Sequence, residues 1–219
     1  MTMYEQIRKN AEINTYITQA DRTLQALGYT EHSFAHVSRV SAMAGDILQT
    51  MGHDAHTVEL ARIAGYIHDI GNVVNRVAHS QSGALMAFRI LDHSGMSAED
   101  IAIIDSAIGN HDEGPGVPVD EVSAALILAD KSDVRRSRVR NTDISTFDIH
   151  DRVNYSVEKS ELIIGDDKKS ILLRLTVDPQ YSSIMDYFEI FLGRMTMCRR
   201  AAECLGMRFK LEINGQQLL

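Results

Sequence analysis

Residues 61–72, ARIAGYIHDIGN, place His68 and Asp69 side by side at the end of a mostly apolar run. A run of this kind reads as a buried helix. An aspartate buried without a partner is costly, and a cation is its natural compensation. Neighbours on a regular helix point about 100° apart. At a helix end both can still reach one ion or an ion pair, and the carboxylate can use its two oxygens to touch one ion or bridge two.

The rest of the chain supplies the frame for that pair. Up to about residue 146 the apolar residues recur at helical spacing, which predicts helices at about 3–27, 31–51, 56–70, 80–94, 98–111 and 119–139. The breaks fall at GYT, MGHD, GNVVNRVA, HSGMS and DEGPGVP; Ser97 with Asp100 caps the fifth helix and Gly52 ends the second. Beyond 146 the pattern changes. Residues 152–164 and 169–178 are rich in β-branched residues with partial alternation, and Gly165-Asp166-Asp167 between them reads as a hairpin turn, predicting two antiparallel strands. Asp178-Pro179 closes the second, an amphipathic helix follows at about 181–205, and residues 207–215 read as a third strand. The expected fold is mainly α, a helical domain at 1–146 with a small β-β-α-β appendage at 147–219.

Composition narrows the partners. A formal net charge of −8 over 219 residues argues against binding a nucleic acid polymer. The polar N-terminus and the lack of about 20 consecutive apolar residues predict neither export nor membrane insertion. Cys198 and Cys204, six positions apart on one predicted helix, are too distant to bridge and read as reduced thiols of a cytoplasmic protein.

Nine histidines are present, and their placement carries the chemistry. His36 lies inside the second predicted helix, His68-Asp69 end the third, His79 opens the fourth, His111 ends the fifth and Asp130 lies inside the sixth. Inward side chains from several helices can converge on one point of a bundle core, and imidazole with carboxylate suits a divalent metal. His32, His53, His56, His93 and His150 read as ordinary residues, although His32 is one turn before His36 and can share its face.

The string His36, His68-Asp69 within YIHDIGN, and Asp130 within ILADKSDV resembles the HD superfamily of metal-dependent phosphohydrolases over about residues 28–140. The resemblance implies that His36, His68, Asp69 and Asp130 hold a first metal. His79 in VAHSQSGA and His111 in IGNHDEG fall where dinuclear members carry their second-metal histidines, with Asp69 bridging. One or two divalent ions are implied, from Fe, Mn, Zn, Ni, Co or Mg. Many members have Lys after the Gly of HDIG, where this chain has Asn72, which puts a phosphate contact there in doubt.

Such a site fits hydrolysis of a nucleotide or other small phosphomonoester or diester by a metal-activated hydroxide held against Asp69. The expected catalytic set is Asp69, His79, His111, Lys131 and Arg39, the last two as cations at the mouth. KSDVRRSRVR, at 131–140, holds five basic residues and one acid; Arg135, Arg136, Arg138 and Arg140 read equally as phosphate contacts or as a solvated face. The loop DEGPGVP either rims the pocket or simply connects helices. In the tail helix, Met185, Phe188, Phe191, Leu192 and Met195 need a partner surface, from their own sheet or from a second copy in a homodimer. Two other readings stay open. The ligand pattern is similar to that of di-iron oxygenases of the same superfamily, and a non-catalytic metal- or nucleotide-sensing module also fits.

Overall fold

The computed structural model describes residues 1–114 and 116–219. Its helical part runs α1 (Met3–Lys9), α2 (Ala11–Ala26), α3 (Phe34–Met51), α4 (Ala55–Ile67), α5 (His79–His93), α6 (Ala98–Gly109) and α7 (Glu121–Lys131). Local chemistry sets most boundaries. Ser33, Asp54, Ser97 and Asp120 accept backbone N–H groups at the starts of α3, α4, α6 and α7, and Gly52 ends α3 at φ 95°. The expected single helix at 3–27 is two. Asn10 caps both, taking extended backbone while its side chain accepts from the Glu12 and Ile13 N–H groups.

The expected helix at 119–139 stops at Lys131, and residues 136–138 form a single 3₁₀ turn. The arginines beyond that stop satisfy carbonyls of other segments, Arg138 donating to Glu31 and Arg136 to Tyr155. These bonds hold the segment off the helical path. The strand expected from 152 likewise starts late. Residues Ile149–Ser156 form α8, capped by Asp148, and the strand β1 covers Val157–Ile164. The buried Val153, Asn154 and Ser156 put one helical face inward, which the β-branched composition concealed.

The tail continues with β2 (Ser170–Val177), α9 (Ile184–Cys204), β3 (Arg208–Ile213) and β4 (Gln216–Gln217), and the sheet order is β1-β2-β3-β4. β1 and β2 pair antiparallel through the turn at 165–169. β2 and β3 pair in parallel, with α9 as the crossover between them, and the short β4 turns back on β3. On β2 the buried residues alternate as Ile171, Leu173, Leu175 and Val177. α9 packs on β3 and crosses α7, so a single buried apolar cluster runs from Ile7 through Ile127 to Ile213. Tyr187, Phe191 and Met195 lie in that cluster, while Met185 and Leu192 are exposed. Among the described residues no helix is long and apolar enough to cross a membrane.

Two glycines bring the His68-Asp69 segment close to its neighbours. A Cβ on Gly65 would stand 2.7 Å from the Ser41 Cα, and one on Gly71 would stand 2.0 Å from the His79 carbonyl oxygen and 2.4 Å from the Gly83 nitrogen. Backbone cannot yield as a side-chain tip can, so Gly71→Ala is expected to lose about 3 kcal/mol of stability, read as a lower urea midpoint with unchanged slope.

Asp105 on α6 is half-buried, and its Oδ1 has no hydrogen-bond partner. Desolvation pushes its carboxyl up to about 6. The folded chain therefore holds this proton more tightly than the unfolded chain, whose carboxyl titrates near the usual value of about 3.9. The stabilisation is fully present below pH ~4 and is lost as pH rises through 6. Asp105→Asn should leave the melting temperature unchanged at pH 4 and raise it at pH 8.

Candidate metal centre

His36 lies in the first turn of α3, His68 caps the C-terminus of α4, His79 opens α5, His111 follows the end of α6, and Asp130 lies in the last turn of α7. Asp69 sits between α4 and the 3₁₀ turn Ile70–Val73. Three helix C-termini thus meet at the cluster, and the partial negative charge of each favours a cation there. The residue before His79, Ala78, is held at φ 58°, a left-handed conformation costly for a residue with a Cβ. All four imidazoles and Asp69 are at most 5% exposed.

The hydrogen bonds fix which ring nitrogen faces inward. The Nδ1 atoms of His68, His79 and His111 donate to the carbonyls of Gly65, Arg76 and Ile108, at 2.9, 3.0 and 2.6 Å. A carbonyl only accepts, so each Nδ1 carries the proton and each Nε2 presents a lone pair. His36 Nδ1 stands 2.8 Å from Asp133 Oδ2, with the same consequence.

The four Nε2 atoms surround Asp69. Its Oδ2 is 3.6 Å from His36 Nε2 and 3.3 Å from His68 Nε2, and its Oδ1 is 3.5 Å from His79 Nε2 and 3.9 Å from His111 Nε2. Asp130 Oδ1 lies 3.3 Å from His36 Nε2 and 3.8 Å from His68 Nε2. His79 Nε2 and His111 Nε2 are 3.2 Å apart. Donor atoms bound about 2.1 Å from a common ion are separated by about 3.0–3.5 Å in octahedral or tetrahedral coordination. The spacing suits such coordination, and His36 Nε2 and His68 Nε2 are buried with no hydrogen-bond partner. Residues His36, His68 and Asp130 form one group able to hold a metal, and His68, Asp69 and His111 another. The residues present fit a divalent ion.

Electrostatics agree. Burial alone would raise the Asp69 and Asp130 carboxyls; His68 beside Asp69, and Lys131 and His36 beside Asp130, hold them well below the usual range. Burial pushes His79 and His111 down, keeping them neutral. His68 differs: burial opposes its protonation, but the Asp69 charge outweighs it and raises the imidazole.

Other expected residues scatter. Lys131 is buried at the site, its Nζ 2.8 Å from Asp130 Oδ2 and 3.6 Å from Glu113 Oε1. Arg39 is not at the mouth. Its Nε lies 3.1 Å from Asp133 Oδ1 and its Nη2 donates to the Ser160 carbonyl, in a groove between α3 and β1. Three positions along a helix rotate a side chain about 60° from His36, enough to put Arg39 behind the ligand. Of the four downstream arginines only Arg138 reaches the metal cavity. Arg135 grips Asp133, Arg136 stacks on Tyr155, and Arg140 pairs with Asp21. The cavity at the cluster is instead lined by Arg76, Arg138, Arg194 and His32 with Lys131. Arg76 follows Asn72 by one turn, a weak signal; Arg194 lies on α9, and nothing in its neighbourhood in sequence marks it. Asn72 does not face outward for an anion. Its Nδ2 donates to Asp69 Oδ1 at 2.9 Å and so fixes that carboxylate.

The geometry gathers histidines and carboxylates that could hold a metal ion at the centre of a helical bundle. The family model for the HD domain matches residues 33–145, more than half the chain, and the chain belongs to that family. It is similar to an uncharacterized protein of Methanocaldococcus jannaschii, 24% identical over 190 residues that cover 76% of this chain and 73% of the relative. It is also similar to the crystal structure of a predicted HD superfamily hydrolase from an uncultured Thermotogales bacterium, at 23% identity and a TM-score of 0.46, covering 62% of this chain and 75% of the other.

Asp133, like Arg76 and Arg194, is a residue that sequence reasoning missed. It is 1% exposed and receives His36 Nδ1, the Arg135 fork and Arg39. A carboxylate behind a ligand histidine fixes its orientation and raises its basicity. Asp133→Asn is expected to lower affinity for Mn²⁺ or Co²⁺ between 10- and 100-fold in a calorimetric titration, with Asp133→Glu recovering part of the loss.

Proposed function

We propose that this protein hydrolyses a small phosphate ester in the cavity beside the His/Asp cluster, using one or two divalent ions. The observation that carries this reading is that four of the six metal-type residues, Asp69, His79, His111 and Asp130, border one cavity with four cationic side chains, while His36 and His68 group with Asp130. A divalent ion bound there would acidify a water and neutralise charge on phosphoryl oxygens. His36, His68, Asp69 and Asp130 would hold one ion and His79, His111 and Asp69 a second.

The chain's own groups do the rest. Arg76, Arg138 and Arg194 present planar guanidinium groups suited to phosphoryl oxygens, and Lys131 adds a fixed charge behind them. Asn72, bonded to Asp69 Oδ1, keeps that carboxylate aimed at the histidines. The attacking water loses a proton and the leaving oxygen gains one. His32 is placed to carry it, because its Nδ1 donates to the Thr30 carbonyl at 2.7 Å and its Nε2 lone pair is left for the cavity it lines.

The test is phosphate release from a panel of nucleotides, sugar phosphates and alkyl phosphates with Mn²⁺, Co²⁺, Ni²⁺ or Mg²⁺. Metal-dependent release is expected, reduced about 10³-fold by Asp69→Asn and by His79→Gln, in keeping with the several kcal/mol that metal catalysis supplies. No release from any member with any metal overturns the reading. The same six donors also suit a pair of iron ions. Oxygen uptake by iron-loaded protein, without phosphate release, would move the assignment to an oxygenase.

A further inference from the structure

The metal cavity opens into a second one of about 460 Å³, the two sharing Arg76, Arg138, Arg194 and His32. The larger cavity has two electrically different ends. At the metal end stand the three arginines, Arg76 near the Tyr29 ring at 5.8 Å and Arg194 over Phe191 at 4.4 Å. At the other end stand Asp148, Asp151 and Asn154 of the α8 segment, with the exposed His150 beside them.

That outer end offers acceptors and lacks cations. Asp148 accepts the Asp151 N–H, and Asp151 accepts from Asn141, but neither carboxylate pairs with Lys or Arg among the described residues. Asn154 is 7% exposed, and its Nδ2 is committed to the His150 carbonyl at 2.8 Å. Asn154 lines the cavity, and its Oδ1 receives no hydrogen bond from the described residues. That oxygen keeps some accessible surface, so a ligand donor can reach it.

Resting on the hydrolase reading above, we propose that the larger cavity receives the leaving group, and that it selects a compact phosphate monoester whose far end carries an amine. The arginines take the phosphoryl group, the Tyr29 and Phe191 rings flank the carbon skeleton, and the ammonium meets Asp148, Asp151 and Asn154 Oδ1. α8 and α9 are thereby the specificity wall of the site. Arg194, from α9, is the phosphoryl contact that the helical part does not supply.

Binding to the full-length metal-loaded protein tests this by calorimetry, with inorganic phosphate and two matched series, alkyl phosphates and ω-aminoalkyl phosphates of two to six carbons. At the best chain length the amine is expected to improve affinity at least about tenfold, as a charge-assisted hydrogen bond should. Asp148→Asn/Asp151→Asn should abolish that preference and leave inorganic phosphate binding within about twofold; asparagine keeps the α8 cap, so the fold is retained. Arg194→Ala should weaken inorganic phosphate and both series alike. Equal binding of the two series by the unaltered protein, with inorganic phosphate still bound, overturns the leaving-group assignment and leaves the hydrolase reading standing. Failure of inorganic phosphate to bind at all overturns both.

Discussion

Asp69 is the constraint around which the helical part is arranged. A carboxylate 5% exposed, ringed by the Nε2 atoms of four histidines, cannot be left uncompensated in a medium of low dielectric. The chain meets that demand twice. His68, raised by the Asp69 charge, can hold a proton, and the lone pairs and the ends of α4, α6 and α7 are set for a cation. Gly65 and Gly71 serve the same end, since only a residue without Cβ lets α3 and α5 approach the segment that carries the pair.

A second buried carboxylate connects the centre to its surroundings. Asp133 holds His36 from behind while Arg135 and Arg39 neutralise it, and its backbone carbonyl accepts from Arg138. Arg138 also lines the cavity, so ligand orientation and the cavity wall share one hydrogen-bonded unit. Within such a unit the contributions of single residues are not additive. On the far side α9 closes the cavity, Arg194 being held by Glu113 at 2.6 Å and by the face of Phe191.

The helical part was legible in sequence because its cues are local. Caps at Ser97 and Gly52 fell where expected, and apolar periodicity located α3 to α7 to within a few residues at most ends. It failed where a side chain competes with the helix, as at Asn10, or where arginines downstream of Lys131 find carbonyls elsewhere. At 152–156 composition suggested a strand, but the Asp148 cap and an inward face of Val153 and Asn154 made these residues part of a helix.

The six metal-type residues could be picked out from sequence alone, because each stands at a helix end or on an apolar face where an unpaired polar group has no other use. The structure brings all six together. Sequence placed Lys131 beside them but could not say which arginines attend them. Arg39 seemed near by spacing and is turned away by helical geometry, whereas Arg194 arrives from a helix more than a hundred residues beyond His68. Charge at the mouth of a cavity depends on which surfaces the core brings together, and that is settled by the packing of α9 across α7. Local pattern determined the metal-type residues; long-range burial decided the pocket they border.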